Sequence, residues 1–189
     1  MSGDRGPAGI LRGSLALLRR HAGRVYAVAL AVTLVNTVPD VLRQLLVHRD
    51  PSLAHALLVD AVGFATGLVA QLWLTGAFTD LPGTGRVRPG GALGRGTATA
   101  LRAVRTSPAA VLAGVVLGGA VSALLTVPAS VAALGLGQVI GPLDAPSAAA
   151  FTVATVSDVV ASWVTLPFLA VVLVLTAGST RQFAGKGSS

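Results

Sequence analysis

Cysteine and glutamate are absent from this 189-residue chain, and lysine occurs once, at Lys186. Without cysteine there is no disulfide, no thiolate nucleophile and no Cys-ligated metal. Charge is scarce: 11% of residues are charged, against about 25% in soluble domains. Aromatic residues make up only 4%, which leaves little with which to stack nucleic-acid bases. What remains is apolar. Hydrophobic residues are 53% of the chain and the mean hydropathy is +0.77. A soluble domain of this size cannot hide so much apolar surface behind so few charges. The composition therefore excludes a disordered chain, a secreted disulfide scaffold and an ordinary cytosolic enzyme, and points to the membrane class.

The net charge is +7, carried by 13 Arg and the single Lys against seven Asp. In a soluble protein such a balance suggests nucleic acid. Here the arginines sit beside apolar runs, so the bilayer and its anionic headgroups are the expected partners, with no nucleic acid.

Four stretches can cross a bilayer. The spans are expected near 25–47, 52–78, 109–135 and 148–177, within a membrane domain of residues 25–178. A cytoplasmic segment (1–24) precedes it, a cytoplasmic loop (79–107) divides it and a cytoplasmic tail (179–189) follows. The charge-free part of the first span, 25–39, is about 22 Å long, short of a core of about 30 Å. It is expected to continue through Pro39 as a kinked helix carrying Asp40 and Arg43 at its outer end. Pro128 and Pro167 fall inside the third and fourth spans, where neighbouring helices can satisfy the freed carbonyls. Asp50-Pro51 and Ser107-Pro108 each offer an N-cap followed by proline at the first helical position, and LPGTGRVRPGG (81–91) reads as a loop.

Orientation follows from the cations. With the N-terminus inside, the cytoplasmic segments hold 12 of the 14 Lys and Arg, and the outer side holds only Arg43 and Arg49. The positive-inside rule then gives a multi-pass protein of the cell membrane with both termini cytoplasmic. A basic lead before a short apolar stretch also resembles a secretory signal. The 24-residue lead and the lack of an A-x-A site after residue 38 favour an uncleaved anchor.

The two halves look alike. Arg12-Gly13-Ser14 and Arg95-Gly96-Thr97 open basic stretches, Thr37-Val38-Pro39 and Thr126-Val127-Pro128 lie near the outer ends of spans, and Asp60 and Asp158 follow in the next spans. A parallel tandem repeat is the expectation. The stretches before spans one and three read as juxtamembrane amphipathic helices. In the first, Leu11, Leu15 and Leu18 share a stripe away from Arg12, Arg19 and Arg20. In the second, Leu93, Ala100, Leu101 and Val104 share one away from Arg95, Arg102 and Arg105. Such helices lie in the headgroup plane, and their arginines are candidate headgroup contacts. The fold class expected is therefore all-α: an integral membrane four-helix bundle with two amphipathic helices.

The layout LRGSLALLRRHAGRV, then a hairpin ending in LTGAF (74–78), then GALGRGTATALRAVR, then a Pro-ended span, resembles the membrane-domain family found with bacterial glycerophosphoryl diester phosphodiesterases and its stand-alone relatives. The resemblance covers most of residues 9–178. It implies a membrane fold without the phosphodiesterase chemistry, which belongs to a separate soluble domain.

Ionisable groups inside spans are functional candidates by default. Asp60 shares a helix face with Gly63 and Gly67, and Asp158 with Ala161 and Thr165. Small residues mark helix contacts, so both carboxylates are expected to face protein. They could bind a proton or cation together, or be structural, each pairing with Arg43, bonding a neighbouring hydroxyl or lying close enough to the surface to stay wet. Asn36 and Gln71 read as interhelical hydrogen bonders, and Gly63-x-x-x-Gly67 and Gly114-x-x-x-Gly118 as packing faces, internal first and dimeric second. Tyr26 and Trp73 fall near the inner interface and Trp163 deeper. His21, His48 and His55 flank spans without ligand spacing; His48 and His55, with Asp50, offer at most a weak metal site. No nucleotide, nucleophile-elbow or zinc-helix motif occurs. No catalytic group, cofactor or metal is expected. The function this favours is a non-enzymatic membrane subunit, structural, regulatory or transporter-associated, with a membrane partner or a second copy. The alternative is a transporter or channel using Asp60 and Asp158.

Overall fold

A computed structural model describes residues 6–49, 53–134 and 147–179. Among these the chain forms six helices and one helical turn: α1 (Pro7–Arg20), α2 (Ala22–Arg49), α3 (Leu53–Ala77), the turn α4 (Leu81–Thr84), α5 (Ala92–Thr106), α6 (Pro108–Leu134) and α7 (Ala148–Gly178). No described residue is in a strand. The all-α class is thus observed.

The helix ends follow local chemistry. Pro7 opens α1, where a missing N–H costs nothing. Ser107 precedes Pro108, and its hydroxyl accepts from Ala110 N at 3.4 Å. Ser147 caps α7 by accepting from Ala150 N at 3.2 Å. The expected cap at Asp50-Pro51 and the expected break at 135–142 lie outside the described residues. A single residue, His21, separates α1 from α2.

Among the described residues three helices are long and apolar enough to cross a bilayer: α3 with the turn after it (Ala61–Thr84), α6 (Pro108–Ala133) and α7 (Ala148–Gly178). In α2 the apolar stretch found among the described residues, Ala22–Val38, is shorter. Each of α2, α6 and α7 holds a Thr-x-Pro. The proline removes one helical donor, and the threonine two residues before it bonds back to the i−4 carbonyl. Thr37 donates to Thr33 O at 2.8 Å, Thr126 to Ser122 O at 3.0 Å and Thr165 to Ala161 O at 2.8 Å. Both features loosen the ladder and favour a bend.

The interior gathers at one end. Leu18 of α1, Val25 and Ala29 of α2, Leu74, Ala77 and Phe78 around the end of α3, Leu81, Ala92 and the Phe168–Val174 stretch of α7 form the main core. A second cluster joins Ala103 of α5 to Leu173 and Ala177 of α7. Among described side chains, burial ends at Thr33 in α2, Ala70 in α3, Gly118 in α6 and Ala161 in α7. Beyond those limits Leu34, Val35, Phe64, Leu124 and Val156 are exposed.

The amphipathic helices pack differently from the stripe reading. On α5 the buried residues are Ala92, Gly96, Thr99 and Ala103, a small-residue face at spacings of four, three and four. Leu93, Leu101 and Val104 are exposed. On α1, Leu18 is buried and Leu15 exposed, with Ser14 buried beside Leu18. The larger apolar side chains of α5 point away from the protein, because only residues without bulk fit its contact with α3.

Candidate functional site

The most constrained geometry is the crossing of α3 and α5. A Cβ built on Gly76 would stand 1.8 Å from Ala92 O, and one on Gly96 would stand 1.7 Å from Leu72 O. The two backbones touch, so neither position tolerates a side chain. Sequence reading missed this pair by looking for small residues four apart within one helix; the glycines that matter lie on different helices. Both, however, fall inside the LTGAF and GALGRG stretches noted above.

Arg95 ties the crossing to the loop beside it. Its Nε donates to Gly76 O at 3.3 Å, and its terminal nitrogens donate to Gly90 O and Arg88 O. Gly76 O lies in the last turn of α3, where carbonyls lack helical partners. The same loop is held by Arg88 N donating to Ala77 O at 2.9 Å. It bends through two left-handed glycines, Gly85 (φ 68°) and Gly91 (φ 64°), a conformation that costs glycine little. Asp80 lies 4.0 Å from the Arg88 guanidinium. Five of the arginines expected to meet headgroups, Arg12, Arg19, Arg20, Arg102 and Arg105, are exposed. Arg95 is half-buried and donates into the fold.

Two further contacts join the halves. Trp163 Nε1 donates to Tyr26 O at 2.8 Å, and the rings meet edge to face with centroids 6.0 Å apart. Trp163 is therefore level with Tyr26, not deeper. Gly13 of α1 faces Leu175 of α7, whose Cδ1 would lie 3.5 Å from an added Cβ. Since Gly13 meets Leu175 and Tyr26 meets Trp163, α7 runs antiparallel to the α1–α2 path.

The expected packing motifs divide. Gly114 abuts Val172 Cγ1, 2.9 Å from a built Cβ, while Gly67 and Gly118 have nothing within 4 Å. Gly63 is half-buried. The expectation that Asp158 faces protein is not met. It is exposed, although Ala161, one turn further, is fully buried. The side chains of Asp60, Arg43, His48 and His55 lie outside the described residues, as does Asp50. Gln71 bonds within its own helix instead of between helices: Nε2 donates to Thr75 Oγ1 at 3.4 Å, and Thr75 Oγ1 donates to Gln71 O at 2.8 Å. Gln71 Oε1 and Thr33 Oγ1 are buried with no partner among the described residues. Asn36 is half-buried. Among the described residues no group of three His, Asp or Glu could hold a metal ion.

Known proteins add no assignment: no family model, no curated protein and no solved structure matches this chain.

Proposed function

We propose that the chain is a four-span protein of the cell membrane with both termini cytoplasmic, and that it serves as a non-enzymatic structural, regulatory or transporter-associated subunit. The observation that carries this reading is the division of the molecule. A tightly packed base brings together α1, the end of α3, α5 and the end of α7, while the opposite halves of α2, α3, α6 and α7 expose apolar side chains. Only 11% of the apolar window of α6 is buried. Hydrocarbon or another helix accommodates such a face, and water does not. The exposed arginines among the described residues sit on α1, in the first turn of α2, in the loop after α4 and on α5, at the packed end, in keeping with a cytoplasmic base.

A duplicated plan fits the same reading. The order α1–α2–α3, a helix of 14 residues followed by helices of 28 and 25, matches α5–α6–α7, with 15, 27 and 31. Leu74-Thr75 and Leu175-Thr176 end the two halves alike. Both threonines are fully buried and bond back to the i−4 carbonyl at 2.8 Å. Each short helix docks on the last helix of the other half: α5 on α3 through Gly96, and α1 on α7 through Gly13. The resemblance to the phosphodiesterase-associated membrane domain is carried with this reading, since the stretches that support it meet at the Gly76–Gly96 crossing.

The absence of native cysteine makes topology directly testable. In intact cells, single cysteines at Thr84 and Gly185 should resist a membrane-impermeant maleimide, and one at Val139 should react. The reverse pattern would refute the orientation. Photo-crosslinkers at Leu112 and Val116 on α6 should give one defined protein adduct, either a second copy or a single partner. Lipid adducts alone would refute the subunit role.

One observation favours a second reading, passage of a proton or cation by way of Asp60 and Asp158. Counting from the Tyr26–Trp163 contact, Thr33 lies seven residues along α2 and Asp158 five along α7, about 10 Å and 8 Å in the same direction. An orphaned hydroxyl and a carboxylate thus share one level of the membrane, where unsatisfied polar atoms are costly. Proteoliposome flux that falls at least tenfold with Asp158→Asn supports this reading; absence of flux from the unaltered protein removes it.

A further inference from the structure

The structure has an open recess of about 480 Å³ lined by Arg24, Ala27 and Val28 of α2 and by Arg86 and Val87 of the loop after α4. We propose that this recess binds one anionic phospholipid, with the phosphate on Arg24 and Arg86 and the upper acyl chain against Ala27, Val28 and Val87. Neither arginine is among those the amphipathic stripes single out.

Three observations carry the assignment. The first is charge. Two guanidiniums and no acid line the recess, and the nearby carboxylate, Asp80, is turned to Arg88. Guanidinium donors match phosphate oxygens in geometry and charge. The second is polarity along α2. Arg24 stands in its first turn, and Ala27 and Val28 follow at i+3 and i+4, on the same face and about 5 Å further along the helix. A cationic rim thus gives way to an apolar wall in the direction in which a lipid passes from phosphate to acyl chain. A free phosphate would use the rim and leave the wall empty. The third is rigidity. Arg24 Nη1 donates to Gly85 O at 3.2 Å, and a built Cβ on Gly85 would come within 2.8 Å of His21 Cε1. Beyond Val87 the loop is pinned by Arg88 N on Ala77 O and by the Arg95 guanidinium on Arg88 O and Gly90 O. The wall is in place before a ligand arrives, which lowers the ordering cost of binding.

The proposal rests on the membrane reading above, and the test separates the two. The full chain is reconstituted into phosphatidylcholine nanodiscs with increasing phosphatidylglycerol, and the phosphatidylglycerol retained by each released protein is counted by native mass spectrometry. One is expected beyond the level seen for phosphatidylcholine. Arg24→Gln with Arg86→Gln should weaken retention about thirtyfold, the loss of two surface cations. Arg86→Gln alone should weaken it about fivefold, and keeps the test valid should Arg24→Gln disturb the loop. Arg181→Gln with Lys186→Gln removes the same charge from the tail and should change nothing. Excess inorganic phosphate should not displace the lipid. Retention equal for the two lipids, equal loss in the two double variants, or displacement by phosphate would overturn the site while leaving a chain that inserts normally; failure to insert at all would overturn the membrane reading and the site with it.

Discussion

Gly76 and Gly96 show how much of this fold depends on single atoms that are not there. A methyl at either position would overlap a backbone carbonyl of the facing helix, and a carbonyl cannot swing aside as a flexible side chain can. Gly76→Ala and Gly96→Ala should each destabilise the protein in detergent by about 1–3 kcal/mol or more, read as a lower midpoint in a denaturation series. Gly67→Ala meets nothing within 4 Å, so its stability should be unchanged or higher by up to about 1 kcal/mol, the helix-propensity gain. Equal losses at all three would show that the crossing is not where the packing energy lies. Gln71 offers a second residue-scale test. Its Oε1 is buried and unpartnered, and an unmade buried hydrogen bond costs about 1–3 kcal/mol. Gln71→Leu keeps the bulk and removes the orphan, so it should leave stability unchanged or raise it by about 1 kcal/mol in the same assay. A clear loss would mean that the oxygen has a partner in the membrane.

Between elements, the loop from Gly85 to Gly91 is held less by its own sequence than by Arg95, which sits on the helix after it. Removing that guanidinium frees three carbonyl partners at once. Arg95→Gln should therefore expose the loop and speed tryptic cleavage after Arg86 about tenfold, since cleavage follows the population of the opened state. Cleavage at the unaltered rate would show that the loop is held by other contacts. At this scale the sequence was readable where one residue's chemistry sets the structure. Ser107-Pro108 marks a helix start. The packed face of α5 was not readable. Leu93, Leu101 and Val104 make an obvious apolar stripe, yet α3 is met by Ala92, Gly96 and Thr99. Hydrophobic periodicity reports which face avoids water. In a helix that touches both lipid and protein, it cannot say which apolar face takes which neighbour.

For the molecule as a whole, composition was the strongest signal, because 53% hydrophobic residues and so few charges leave little alternative to hydrocarbon. The level at which the helices stop covering one another was hidden. Asp158 and Ala161 lie on one face of α7, and nothing in that spacing says that Ala161 is buried and Asp158 exposed. That depends on where α2, α3 and α6 lie around α7, a long-range matter of packing. The arrangement that results, a packed base with apolar helices beyond it, makes sense only if lipid is the solvent there. Spin labels at Phe64, Val116 and Val156 measure this most directly in the reconstituted protein, through collision with oxygen, which concentrates in hydrocarbon, and with a water-soluble nickel chelate. The account predicts that oxygen dominates at all three positions and the chelate at Thr84. Chelate collisions at Phe64, Val116 and Val156 as frequent as those at Thr84 would contradict it.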